Sequence, residues 1–181
     1  MKFNLEKSRK GKINYFGIGL NKTGLTSLTT AFGMLGYRAY QAPNDHVLSR
    51  LKNFDFICDI PIWCEFKKYD KKYPGSKFIY TFRPLKPWLK SRKNSFKKIK
   101  KMRKKTKRLQ KKIKQAYGSL DCTDEKLIKI YKKHHIAVMD YFKNRNDFLF
   151  IEICNGEGWE KLCPFTKEKI PNKPFPQTRK S

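Results

Sequence analysis

Residues 13–36 read INYFGIGLNKTGLTSLTTAFGMLG, and this stretch decides the fold. Ile13 to Ile18 is a short apolar run of the kind a buried strand makes. Gly19-Leu20-Asn21-Lys22-Thr23-Gly24 is a glycine-rich turn. Beyond it Leu28, Ala31, Phe32 and Leu35 recur at helical spacing, and Gly36 supplies a stop. Strand, glycine turn and helix together hold an anion, because backbone N–H groups and the positive helix end converge on one spot. Lys22 adds a charge there, and Thr23, Thr26 and Ser27 add hydroxyl donors. Gly19 and Gly24 have the spacing of the Walker loop G-x-x-x-x-G-K-[ST], but Leu25 stands where its Lys belongs and Lys22 lies two residues before the second Gly. The loop is therefore P-loop-like without being an ordinary ATP loop.

Working outward, strands are expected at Tyr37 to Tyr40, Phe54 to Ile60, Lys77 to Phe82 and Phe148 to Ile153. Helices are expected at Asp45 to Leu51, at Trp63 to Tyr73, and from Gly156-Glu157-Gly158-Trp159 to near Phe165. Lys86 to Lys114 reads as one long basic helix with a thin apolar stripe of Phe96, Ile99, Met102, Leu109 and Ile113. Residues 90–114 hold 15 Lys and Arg and no acid, so the segment is expected to face an acidic acceptor rather than build core. Gly118 and Asp121 break that pattern, and Thr123 caps a further helix carrying Leu127, Tyr131, Val138 and Phe142 on one face. The organisation is one domain over 1–181, with a basic leader at 1–12, a Lys-rich helical segment at 90–117 and an extended tail at 166–181. Pro174-Phe175-Pro176 would anchor that tail.

Alternation of strands and helices without an internal repeat implies an α/β fold: three layers, a mainly parallel central sheet, and a helical basic insertion. Ligands of such sheets bind beyond the carboxyl ends of the strands. Lys22, Asp59 and Arg83 fall at such ends.

Composition narrows the class. Hydrophobic residues are 39% and aromatics 14%, which is a folding composition, yet 43 Lys and Arg face 15 Asp and Glu for a net charge of +28. Such a field favours anionic partners. No apolar run approaches the roughly 18 residues of a membrane span, and the start MKFNLEKSRKGK lacks the apolar core of a signal peptide. Cys58, Cys64, Cys122, Cys154 and Cys163 are odd in number and form no C-x-x-C, which points to reduced thiols, a cytoplasmic location and no zinc.

Four ordered blocks then resemble the sulfotransferases, most closely their small microbial branch. FGIGLNKTGLTSLTTAFGMLGYRAY (16–40) is similar to the branch's 5′-phosphosulfate loop, G-L-P-K-T-G-T-T-S-L followed by L-G-Y. CDIP (58–61) resembles the acceptor-side strand end. YPGSKFIYTFRPLKPWLKS (73–91) resembles the 3′-phosphate motif, an Arg after a strand with a Ser eight residues on. NGEGWEKLCPF (155–165) and KPFP (173–176) resemble the C-terminal signature. The resemblance implies 3′-phosphoadenosine 5′-phosphosulfate as donor, adenosine 3′,5′-bisphosphate as product, and no metal. It implies Asn21, Lys22, Thr23, Gly24, Leu25, Thr26 and Ser27 around the 5′ end, and Arg83 and Ser91 on the 3′ phosphate. Leu25 departs from the usual hydroxyl residue, Asn21 stands where Pro is common, and Ser27 replaces the adenine-stacking Trp of the animal cytosolic branch.

Sulfuryl transfer asks for in-line oxygens, charge neutralisation at the leaving oxygen and a base near the acceptor. Lys22 fits the second need. Asp59, two residues before Pro61, takes the position where the cytosolic branch has a His and is the expected base, with Glu65 the fallback. His46, His134 and His135 read as packing or surface residues. The acceptor class left open is a small molecule or a glycan, in keeping with an anionic one. Two rival readings remain at this point: a nucleotide kinase-like phosphoryl transferase, separable by ATP–magnesium binding, and a non-enzymatic basic nucleic-acid-binding protein. The latter is disfavoured as a main function by the lack of aromatic interleaving along the Lys-rich segment.

Overall fold

In a computed structural model the described residues are 15–101, 107–119 and 122–178. The basic leader 1–12, Ile13 and Asn14 of the first expected strand, Met102 of the apolar stripe, Asp121 and the last three residues of the tail lie outside them. Five strands form one sheet: β1 (Tyr15–Gly17), β2 (Ala39–Gln41), β3 (Phe56–Cys58), β4 (Lys77–Thr81) and β5 (Phe148–Ile151). Their order is β2-β3-β1-β4-β5, and every pairing is parallel. The helices are α1 (Leu25–Met34), α2 (Asp45–Ser49), α3 (Phe66–Lys72), α4 (Leu85–Lys101), α5 (Lys107–Tyr117), α6 (Asp124–Tyr141) and α7 (Trp159–Thr166). The expected α/β fold with a parallel sheet is what the chain adopts.

The chain forms two compact units, residues 1–82 with 146–181, and 83–145. In the first, successive side chains leave opposite faces of the sheet. Tyr15, Phe56, Cys58, Ile79 and Ile151 point to one face, where they are buried with α1 and α7 through Leu28, Phe32, Trp159 and Leu162. Phe16 and Phe78 stack at 5.4 Å on the other face, and Tyr69 of α3 and Tyr73 close over Phe16. That is helix, sheet, helix: three layers, with α1 and α3 on opposite faces.

The second unit is helical. The run expected as one helix over Lys86 to Lys114 is two helices, α4 and α5, on either side of 102–106. Its thin stripe does build core, contrary to the expectation from charge: Phe96, Ile99 and Ile113 are buried with Trp88 and Tyr117. A cation assists rather than opposes this, since the Arg92 guanidinium lies 4.0 Å from the Phe96 ring centre and 4.2 Å from that of Tyr117. Aromatic faces are electrostatically suited to a buried guanidinium. Thr123 caps α6 as expected, its hydroxyl accepting from Lys126 N at 3.3 Å. α6 buries Leu127, Tyr131, His134 and Val138, and Trp88 meets Tyr131 at 5.0 Å.

Other boundaries shift too: β2 is Ala39–Gln41 rather than Tyr37 to Tyr40, and β3 is Phe56–Cys58 rather than Phe54 to Ile60. α3 starts at Phe66 rather than Trp63, because residues after Asp59 first form a turn in which Cys64 N and Glu65 N bond Pro61 O at 3.0 and 3.1 Å. β5 ends at Ile151, and Ile153–Asn155 turns as a 3₁₀ segment into Gly156 at φ 98°. Among the described residues no helix is long and apolar enough to cross a membrane.

Candidate active site

The glycine turn follows β1 directly, and its path is set by a close approach. A Cβ on Gly19 would lie 2.0 Å from Thr81 Oγ1 and 2.4 Å from Thr81 O, so only glycine lets the turn cross the end of β4. Thr23 bolts the turn down. Its hydroxyl donates to Leu20 O at 2.6 Å and meets Thr81 Oγ1 at 2.6 Å, both residues being buried. The Thr23 hydroxyl, expected as a donor to an anion, is thus turned inward.

Lys22 has φ 78° and Gly24 φ 104°, and these left-handed turns swing the chain into α1. The first helical bond runs from Leu28 N to Gly24 O at 3.0 Å. The N–H groups of Leu25, Thr26 and Ser27 therefore precede the hydrogen-bond ladder, at the positive end of a ten-residue helix whose first turn carries no acid. Leu25 itself points into the core, so only its backbone can serve a ligand. Gly24 is held close to Ile153, where a Cβ would come within 3.0 Å.

Asp59 stands beside this loop at the carboxyl end of β3. It is buried, with 7% exposure, and has φ 81°. Its Oδ1 accepts from the Asn21 side-chain amide and from Ile60 N, the latter at 2.7 Å. Its Oδ2 accepts from Gln41 Nε2 at 3.0 Å. The register places Gln41 opposite Cys58, and Ala42 N, at φ 57°, bonds Cys58 O at 3.1 Å. So Lys22, Ala42 and Asp59 are three left-handed non-glycine residues at the carboxyl ends of three strands, a clustering typical of functional sites. Next to Asp59 the Cys58 thiol is fully buried; burial and the neighbouring carboxylate push its pKa well up, against a 3.3 Å bond with Thr29 Oγ1. The raised pKa favours the neutral thiol.

The tail closes the other side of α1. Trp159 Nε1 donates to Lys173 O at 2.8 Å, and Phe175 packs edge-on against Trp159 at 4.9 Å, over a Gly158 that has no room for a Cβ. The expected anchor at Pro174-Phe175-Pro176 is present. The chain then reaches α1, where Thr178 N bonds Ser27 Oγ at 3.3 Å.

Arg83 and Ser91 belong to the second unit. Arg83 immediately follows Phe82, whose N–H bonds Ile151 O at 2.9 Å, and its carbonyl accepts from Tyr131 OH at 2.8 Å. Ser91 is buried in α4, one helical turn beyond the buried Trp88. Glu65 stands at the N-cap position of α3 without a side-chain cap bond and pairs with Lys68 at 2.9 Å, a surface contact. His134 is buried in α6, His46 is exposed in α2, and burial lowers the pKa of His135.

The structure brings Asn21, Lys22 and Asp59 together. It adds Gln41 and Thr81, which sequence reasoning missed. The signal for Thr81 was available in the hydroxyl ending KFIYT just before Arg83. For Gln41 there was none, because β2 is three residues without alternation. The family model described as "Sulfotransferase domain" matches residues 41–181. That span holds Gln41, Asp59, Arg83 and Ser91, and the Lys22 loop precedes it. No curated protein matches the chain.

Proposed function

The chain belongs to the sulfotransferase family, and from that premise we propose that it moves the sulfuryl group of 3′-phosphoadenosine 5′-phosphosulfate to an acceptor hydroxyl or amine. The observation that carries this reading is the hydrogen bond from Asn21 to Asp59, which joins the anion loop to a buried carboxylate at neighbouring strand ends. The donor supplies a sulfuryl group on a phosphate leaving group, with a second phosphate at the 3′ position. The loop suits its 5′ end: N–H groups ahead of the α1 ladder, the Lys22 ammonium and no carboxylate in the first helical turn. Arg83 and Ser91 take the 3′ phosphate by the resemblance, Arg as a planar fork and Ser as a hydroxyl.

Asp59 receives the acceptor's proton while the acceptor oxygen bonds to sulfur. A carboxylate has about four acceptor positions. Asn21 and Ile60 N occupy those of Oδ1, whereas among the described residues Oδ2 accepts from Gln41 alone. Oδ2 is therefore the oxygen that takes the proton, and Gln41 is the positioning residue that aims it. Lys22 neutralises the charge that builds on the leaving oxygen. Glu65 is a poorer base, being turned to Lys68.

The test is calorimetric titration of adenosine 3′,5′-bisphosphate without magnesium. Lys22→Ala and Arg83→Ala should each weaken binding about 10- to 30-fold, the worth of a charge-assisted contact. Unchanged affinity in both variants, or tighter binding of ATP–magnesium, overturns the assignment.

A further inference from the structure

One side of α6 is fixed by Leu127, Tyr131, His134 and Val138, all buried, with Trp88 meeting Tyr131 at 5.0 Å. The opposite side carries Lys129, Lys132, Ile136 and Met139. They follow one another at three, four and three residues, so they form one stripe about 15 Å long. The two lysines are exposed, Ile136 is 57% exposed and Met139 39%. Exposed Lys133 borders the stripe, and exposed Lys143 lies two residues past the end of the helix. A single exposed apolar residue is ordinary on a protein surface. Here two stand on adjacent turns of one face among four lysines.

The charge of this face is little offset. Asp124 and Glu125 sit in the first turn of α6, where Asp124 pairs with Lys93 at 2.8 Å, which leaves exposed Asp140 as the helix's acid beside Met139. The surrounding field has the same sign, since the helical unit 83–145 carries 23 Lys and Arg against 4 Asp and Glu. Charge alone names only an anion. The apolar pair narrows the class, because a polyanion in water offers nothing to Ile136 and Met139. A lipid surface with anionic headgroups offers partners to both kinds of side chain: charge to the ammonium groups and an acyl boundary to the apolar residues. Lysine stems are long enough to lift their ammonium groups to the headgroups while Ile136 and Met139 enter below them. A bilayer is also flat, so it is met by the outer face of a helix and needs no pocket.

We infer that the outer face of α6 docks the protein on an anionic lipid surface. The proposed transfer uses none of these residues, and the docking does not rest on it.

The experiment is co-sedimentation of the full chain with vesicles across a salt series. The vesicles are phosphatidylcholine alone, or phosphatidylcholine with about 30% phosphatidylserine. Four variants are compared with the unaltered chain. Ile136→Gln/Met139→Gln removes the apolar pair at constant charge. Lys129→Gln/Lys132→Gln/Lys133→Gln/Lys143→Gln removes the local charge. Met34→Gln/Ile170→Gln removes two exposed apolar residues elsewhere, and Lys67→Gln/Lys68→Gln/Lys71→Gln/Lys72→Gln removes four exposed lysines of α3. Thermal melts verify that all four fold.

The unaltered chain should bind the phosphatidylserine vesicles and leave phosphatidylcholine alone. The apolar variant should bind at least about 10-fold more weakly, because affinity follows buried apolar area as well as charge. The α6 lysine variant should lose at least about 30-fold, at about fivefold for each lysine near an anionic surface, and its binding should vary less with salt. Either control should change affinity less than about 3-fold, since distant charges are screened. Absence of vesicle binding, or equal binding without phosphatidylserine, overturns the inference. So does an apolar variant that binds as well as the unaltered chain, and so does equal loss in the two lysine variants, for the attraction is then charge alone. A dimer in sedimentation velocity that Ile136→Gln/Met139→Gln breaks, with no vesicle binding, gives the face to a second copy. Oligothymidylate bound in place of vesicles, and lost with the four α6 lysines but not with the apolar pair, gives it to a nucleic acid.

Discussion

The pair Thr23 and Thr81 gives the sharpest test of how the loop is held. The Thr23 hydroxyl has one proton, and it goes to Leu20 O at 2.6 Å. In the 2.6 Å contact between the two hydroxyls, Thr81 must then be the donor and Thr23 the acceptor. Both side chains are sealed, Thr23 at 2% and Thr81 at 0% exposure, so water cannot replace a lost partner. Valine copies the shape of threonine without the proton. Thr81→Val removes one buried bond and should cost about 1 kcal/mol. Thr23→Val strips the Leu20 carbonyl of its donor and strands the Thr81 hydroxyl, which should cost about 2–3 kcal/mol. The double variant leaves no stranded Thr81 hydroxyl, so its cost should fall short of the sum by about 1–2 kcal/mol. Urea unfolding at fixed pH with unchanged m-values measures all three. Bisphosphate titration of the same proteins completes the test. A Thr23→Val protein that keeps its stability to within about 0.5 kcal/mol but loses about 10-fold in nucleotide affinity would show that the hydroxyl serves the ligand, and the inward assignment would be wrong.

Asp59→Asn should keep bisphosphate affinity and lose about 10²-fold or more in transfer, and Gln41→Leu should lower kcat about 10-fold with the donor KM unchanged, as a base removed and a base misdirected would; steady-state kinetics on an accepted substrate decide, and full activity of Asp59→Asn moves the base elsewhere. Ala42→Gly should raise stability by about 0.5 kcal/mol, because glycine accepts the left-handed φ of 57° at no steric cost; a lower urea midpoint would contradict it. Burial alone would raise the Glu157 pKa, but Lys161 at 2.5 Å and Glu152 N at 2.6 Å pull it below the ordinary value. Glu157 therefore adds stability above about pH 4.3, lost as pH falls through its depressed folded value, so Glu157→Gln should flatten the acid limb of urea midpoints read from pH 7 down to about pH 3.

The loop was legible because each of its parts has a local cause: an apolar run before it, glycines at its corners, and helical periodicity after it. That Asp59 and Arg83 would follow strands was legible, because the apolar runs ahead of them mark strands β3 and β4. Gln41 was not, since its contact with Asp59 depends on β2 pairing with β3 in one register, Gln41 beside Cys58, and three half-buried residues of β2 carry no pattern that selects it. The fate of the Thr23 hydroxyl was equally hidden, because it follows from Gly19 lying against Thr81, a contact made across the sheet. The Lys-rich run misled in a different way. Fifteen cations without an acid read as a face for an acidic acceptor rather than core, yet Phe96, Ile99 and Ile113 suffice to bury one side of α4 and α5. Arg92 joins them by stacking on two rings, so charge count alone said nothing about which face was inside.

The backbone of the site explains why these residue types stand where they do. Left-handed conformation costs an L-residue about 1–2 kcal/mol, so Lys22, Ala42 and Asp59 together forfeit several kcal/mol that glycines would not. At Lys22 and Asp59 glycine would relax the chain and delete the ammonium and the carboxylate. At two of the three strained positions the left-handed turn thus carries a charged side chain. The bonds that hold it are specific: Asn21 and Gln41 grip Asp59 from two sides, and Ala42 N ties to the residue before it. Each of these donors comes from a different strand end than its acceptor, so the loop after β1, the end of β2 and the end of β3 are fixed as one piece. The proposed transfer needs charges fixed in this way, because groups already in place stabilise a transition state rather than merely attract an anion.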